Sequence, residues 1–153
     1  MLKTNLRWFT YIFLSISLLS FAPEKSSSVG PVEDVLKYTN QFRRSKDLKA
    51  LEMRDDLNAI ARKHSEDMAS GRCAFGHHGY DLRVSKIKKT VKPCDGYTGE
   101  NVAYGAPNGK EAVDVWKNSS VHRKNMLGDY KYIGIGTASN KKGVIYYTQI
   151  FVR

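Results

Sequence analysis

Cysteine is scarce: the 153-residue chain has two, Cys73 and Cys94, which excludes the metal-spaced cysteine sets of zinc modules. The chain also lacks a phosphate-cradling Walker loop and an H-E-x-x-H helix, which removes two common routes to nucleotide and metalloprotease chemistry. Gly134-Ile-Gly136-Thr-Ala-Ser139 begins like a dinucleotide loop. It has no third glycine and opens no helix, so it reads as strand. No aromatic-basic signature of an RNA-binding sheet is present, so no nucleic-acid partner is expected. Nor does any uncharged stretch reach the roughly 20 residues of a membrane-spanning helix. Acidic residues are outnumbered, 15 against 25 Lys and Arg, for a net charge of +10 at pH 7. That imbalance favours adhesion to something anionic. An ordinary charged fraction of 26% and an aromatic fraction of 11% exclude a disordered or collagen-like chain. No internal repeat is found, and the length corresponds to one domain.

The N-terminus has its own character. Lys3 and Arg7 precede the uncharged, mostly apolar run from Trp8 to Ala22, a length that suits the core of a secretory signal. Ser20-Phe21-Ala22 places small residues where a signal peptidase reads, so residues 1–22 are expected to be a signal peptide. Pro23 would hinder that cut, which leaves an uncleaved anchor or a later cut near Ser26–Ser28 as alternatives. No cysteine follows the run, which argues against a lipoprotein anchor. Residues 23–31, polar and flexible in composition, read as a linker, and residues 32–153 as the folded domain. Without residues 1–22 the chain keeps a charge of +8, so the basic character belongs to the exported part. The expected location is outside the cell or in its envelope or periplasm, or anchored at the membrane if the signal is kept. An isolated cysteine pair in an oxidising compartment predicts a disulfide between Cys73 and Cys94. Closing that loop of about 22 residues is worth roughly 3 kcal/mol in the chain-entropy view. A catalytic thiol is the alternative, with nothing around Cys73 to mark an activated nucleophile.

Periodicity places helices first and a hairpin last. Gly30-Pro31 opens a helix carrying Val32, Val35, Leu36, Thr39 and Phe42 at helical spacing. Asp55 and Asp56 start a second, with Leu57, Ile60, Ala61, His64 and Met68 as its stripe and Gly71 as its stop. His64 on that stripe reads as a satisfied core histidine. A short helix is predicted at Tyr80–Lys89. Asn108 with Glu111 forms a capping box for a further helix with Ala112, Val113, Val115 and Trp116 inward. Ser120 to Leu127 suits another short helix. Tyr132–Ser139 and Val144–Val152, separated by Asn-Lys-Lys-Gly, predict a hairpin, with a third strand near Asn101–Tyr104. This order indicates α+β.

Polar chemistry concentrates in three segments: Phe75-Gly-His77-His78, Gly99-Glu100-Asn101-Val-Ala, and Trp116 to Asn125 with His122. Two imidazoles can hold Zn²⁺ with a position left for water, whose proton a nearby Glu accepts. Without metal, the same trio is a hydrogen-bonded network that orders the loops.

The order of these segments resembles the CAP superfamily (cysteine-rich secretory proteins, antigen 5 and pathogenesis-related-1 proteins) in its bacterial SCP-domain form. The resemblance runs from about Val32 to Arg153. It is carried by Leu57 to Ala69, Phe75-Gly-His77, Gly99-Glu-Asn-Val-Ala103, Trp116-x-x-Ser119-x-x-His122-Arg-x-Asn125-Met-Leu, Ile133-Gly-Ile-Gly136 and Tyr147-Thr-Gln-Ile-Phe151. It implies a three-layer α-β-α sandwich around a small antiparallel sheet, with a cleft carrying His77, Glu100 and His122 beside Asn101. The second Glu of the family's polar tetrad is replaced here by the stretch Lys117, Asn118, Ser119. The reading that follows is an exported, monomeric binding module acting at an anionic membrane, an envelope polymer or a small lipid-like ligand. Lys86, Lys88, Lys89 and Lys92 are candidates for anionic contacts. The alternatives are a zinc-dependent hydrolase, with His77 and His122 as ligands and Glu100 as base, and a structural envelope protein.

Overall fold

Apolar spacing along the chain translates into nine elements in a computed structural model that describes residues 30–92 and 94–153. The expected signal at 1–22 and residues 23–29 of the linker lie outside the described residues. Helix α1 (Pro31–Arg44) starts at a proline whose missing N–H costs nothing in the first turn. A two-residue strand β1 (Glu52–Met53) leads into α2 (Asp55–Ala69), which ends before Gly71 at φ 74°. Helix α3 (Tyr80–Thr90) precedes strand β2 (Thr98–Tyr104). Helix α4 (Gly109–Asn118) is capped as its box predicts, with Asn108 Oδ1 accepting from the Glu111 N–H at 2.9 Å. Helix α5 (Ser120–Met126) and the hairpin β3 (Tyr132–Ser139) and β4 (Ile145–Val152) complete the chain.

The strands form one sheet in the order β1-β3-β4-β2. Strand β1 is parallel to β3, and the other pairs are antiparallel. Strand pleat then sorts residues to two faces. On one face Ile133, Ile135, Tyr147, Phe151 and Ala103 meet Val35 of α1, Ala112, Val113 and Trp116 of α4 and Met126 of α5. On the other, Tyr132, Ile150 and Val152 meet Leu57, Ile60 and Ala61 of α2 and Ile87 of α3. Two cores on opposite faces of one sheet make the three-layer α-β-α sandwich. The buried Arg43 of α1 ties two helices of one layer together: its guanidinium donates to the carbonyls of Met126 (2.8 Å) and Gly128 (2.9 Å), a cation at the C-terminus of α5.

Two expectations are corrected. Cys73 and Cys94 are separate free thiols, not a disulfide. The Cys73 N–H reaches the Asp67 carbonyl at one end of α2, whereas Arg54 at the other end donates to Lys92, just before Cys94. From Arg54 to Asp67 along the helix is about 20 Å at ~1.5 Å per residue, and bridged Cα atoms lie within about 7 Å. Val115 is 55% exposed, because it lies about 100° round α4 from the centre of the buried stripe of Gly109, Ala112, Val113 and Trp116. Strand β1 is unforeseen, and β2 begins three residues before its expected start.

Candidate functional site

The polar residues converge over β2, the edge strand. Its carbonyls at Glu100 and Val102 accept from side chains, Asn125 Nδ2 (3.0 Å) and Trp116 Nε1 (3.0 Å), so the helical layer occupies them where a further strand would otherwise pair. Strand alternation sends Glu100 to the α2/α3 face and Asn101 to the α4/α5 face.

Glu100 is the centre of a dense ionic cluster. Its side chain is 2% exposed. Arg83 of α3 grips it as a fork, Nε to Oε2 at 2.7 Å and Nη2 to Oε1 at 2.6 Å, the bidentate geometry that best satisfies a buried carboxylate. His77 Nδ1 donates to the same Oε1 at 2.8 Å, which leaves Nε2 as its remaining polar atom; the imidazole is half exposed. Arg83 also donates through Nη1 to the His78 carbonyl at 2.7 Å, so one guanidinium fastens both the 75–79 loop and α3 to the sheet.

His64 lies beneath this cluster, 3% exposed. Its Nε2–H donates to the Gly76 carbonyl at 2.8 Å and stands 3.9 Å from Glu100, too far for a hydrogen bond. Burial, and then the Arg83 charge, holds its pKa below the ordinary 6.5. It is a satisfied core histidine that props the loop bearing His77.

His122 faces His77 across a cleft of about 250 Å³, lined also by Tyr80, Thr98, Glu100 and Asn125. Burial first, and the neighbouring His77 second, lower its pKa, which keeps the ring neutral at pH 7. Its Nδ1 is buried with no hydrogen-bond partner among the described residues. Asn101 lies fully buried below the cleft. Its Nδ2 donates to the His122 carbonyl (3.1 Å) and to Gln149 Oε1 (3.2 Å), and its Oδ1 accepts from Asn125 (2.9 Å). It positions α5 without lining the cleft. His78 lines a separate groove of about 500 Å³ between α2 and α3, with Ile60, Leu82, Lys86 and Cys73. Lys86, Lys88, Lys89 and Lys92 are exposed.

Arg83 is the residue that sequence reading passes over. A signal existed: it sits four residues before the buried Ile87, which places it on the inward side of α3 and apart from the exposed lysines.

A zinc ion does not fit this donor set. Both Glu100 oxygens are committed to Arg83 and His77, and a guanidinium cation already neutralises the carboxylate. Among the described residues no three His, Cys, Asp or Glu side chains are grouped to share a metal. Lys117, in the stretch that replaces the second Glu, pairs with Asp114 at 3.2 Å.

Comparison with known proteins agrees with this architecture. A sequence profile of the cysteine-rich secretory protein (CAP) family matches residues 36–151. The chain is 34% identical over 129 residues to the uncharacterized membrane protein YlbC of Bacillus subtilis, covering 79% of this chain and 34% of that protein. It is 34% identical over 117 residues to the uncharacterized protein YkwD of the same organism, covering 72% and 44%. The chain thus spans less than half the length of these curated relatives. An extracellular SCP-domain protein of Bacillus anthracis superposes with a TM-score of 0.69 at 27% identity, over 80% of this chain and 40% of that one. An outer surface protein of Borrelia burgdorferi shares the fold at a TM-score of 0.66 and 20% identity, over 82% and 96%.

Proposed function

The chain belongs to the cysteine-rich secretory protein (CAP) family in its bacterial SCP-domain form, and from that premise we propose an exported binding module of the membrane or cell-envelope surface. Its cleft between His77 and His122 takes hydroxyl-bearing groups of an envelope polymer. The observation that carries this reading is the unpartnered Nδ1 of His122. A buried polar atom without a partner costs about 1–3 kcal/mol, which a ligand hydroxyl recovers once the ring turns to bring that nitrogen into the cleft. A hydroxyl both donates and accepts, so it suits a neutral imidazole in either tautomer. Glu100 serves as a positioning residue rather than a base: its oxygens are taken up by Arg83 and His77, and it aims His77 at the cleft. The +8 charge of the exported part favours an anionic polymer, with the exposed lysines of α3 adding contacts that salt screens. The extracellular and outer-surface settings of the structural neighbours support an exported location.

The test is an NMR titration of the imidazole resonances with soluble peptidoglycan fragments and with polyglycerol phosphate. His77 and His122 shift on binding while the deeper His64 stays, and His122→Phe abolishes the shifts. If neither probe moves either resonance at millimolar concentration, the binding reading fails and the cluster serves only to order its loops. Release of cleavage products would instead place the chain among hydrolases.

A further inference from the structure

One end of the sheet carries features that the cleft does not use. Tyr104 of β2 and Tyr146 of β4 are registered partners and stack with ring centroids 5.6 Å apart. Phe75 extends the row, 4.7 Å from Tyr104. Phe75 is 45% exposed and Tyr104 57%, an uncovered strip of aromatic surface. Just beyond, the β3–β4 hairpin turns through the exposed Lys141 and Lys142.

The chain enters the fold at this same end. Pro31 lies beside Ile135, Gly136 and Thr137 of β3. Thr137 pairs with Tyr147, one row from the Tyr146–Tyr104 pair. The β3 and β2 edges are two strand spacings apart, about 10 Å. Upstream in sequence stands the uncharged run Trp8–Ala22, and only Pro23 to Gly30 separate it from the first helix. Eight residues reach at most about 28 Å. Wherever that run is held in a bilayer, this end of the domain is held close to it.

We propose that this end is a membrane-docking face. Phe75, Tyr104 and Tyr146 seat in the headgroup region of an anionic bilayer, where aromatic side chains with an apolar body are favoured. Lys141 and Lys142 meet the lipid phosphates. Glu33, Asp34 and Glu66 also stand at this end, so the attraction is local to the hairpin and the aromatic strip carries the larger share. Glu100 lies four residues along β2 from Tyr104, about 13 Å at ~3.3 Å per residue. Docking therefore leaves the Glu100 side of the cleft about that far from the aromatic strip, with His77, two residues from Phe75, as its nearest rim. The inference goes beyond the cleft reading and does not depend on which polymer the cleft takes.

The test uses the full chain in vesicles of phosphatidylcholine and phosphatidylglycerol. Phe75→Trp and, as a control at the cleft, Val121→Trp are compared with the unsubstituted chain for quenching by brominated lipids. Both sites are exposed, so the fold tolerates the change. The expected result is several-fold stronger quenching at position 75 than at 121, reduced and made insensitive to salt by Lys141→Glu with Lys142→Glu. Equal quenching at the two positions overturns the proposal. So does a position 75 that is shielded from aqueous iodide yet not quenched by lipid, which would assign the face to a second copy of the chain. Because the imidazole titration reads the cleft separately, failure of either idea is visible without the other.

Discussion

Strands β3 and β2 both flank β4, yet the α2/α3 layer meets them on different terms. Over β3, the backbone of α2 lies directly on the sheet. A Cβ at Gly134 would collide with Leu57, and one at Gly136 with the backbone of Ala61 and Arg62. The polar groups there are consumed locally: Ile135 N–H donates to Asn58 Oδ1 at 2.8 Å, and the Gly136 carbonyl accepts from Ser65 at 2.9 Å. Over β2 the interval between layers is filled by Glu100 and Arg83, whose opposite charges meet, and by the imidazole of His64 beneath them. Close backbone packing leaves no room for chemistry, whereas a side-chain-wide interval at a sheet edge can hold a buried ionic cluster with a cleft above it. The same fold thus has one flank of close backbone packing and one that carries a polar cleft.

The sharpest way to break this contrast is Gly136→Val. A branched side chain under the α2 backbone is expected to cost about 3 kcal/mol or more, enough to prevent folding of a marginal domain, read from urea unfolding. A loss below about 1 kcal/mol would mean that α2 slides freely and that β3 is not the rigid flank. Next in size is Glu100→Gln, which leaves the mostly buried Arg83 without its carboxylate. About 3 kcal/mol of destabilisation is expected, against under about 1 kcal/mol for Lys63→Gln at the exposed Asp67 pair. Equal costs for the two variants would show that the β2 cluster is ordinary surface electrostatics.

The smallest effect is on pH. Burial lowers the pKa of His64 and of His122, so the unfolded chain binds their protons more readily than the fold does. Their contribution to stability is full above the ordinary 6.5 and is lost as pH falls through the lowered folded values. The melting temperature should drop by a few degrees between pH 7 and about pH 5. His64→Gln should flatten part of that slope; an unchanged slope would remove His64 from the polar flank.

Much of the fold is legible residue by residue. Pro31, the Asp55–Asp56 start, the Asn108–Glu111 box and the Asn-Lys-Lys-Gly turn mark element ends through local chemistry, and each stands where expected. Strand β1 is illegible because two residues carry no period, and it exists only by pairing with Tyr132 and Ile133. Val115 misleads because an apolar side chain at the margin of a stripe reads the same whether it turns in or out. At the site, His77, Glu100 and His122 stand out as polar residues among glycine, asparagine and serine. Arg83 does not, because a cation near a run of lysines resembles a solvated face.

From the sequence alone came the kinds and order of every element but β1, the basic charge and the family, since these rest on spacing, composition and motif order. Tertiary structure decided the partnerships. It brought Arg83 onto Glu100, put His122 opposite His77 with one nitrogen unpaired, and held Cys73 and Cys94 at opposite ends of α2. Such pairings depend on how layers stack over a sheet, a long-range geometry that local periodicity does not encode.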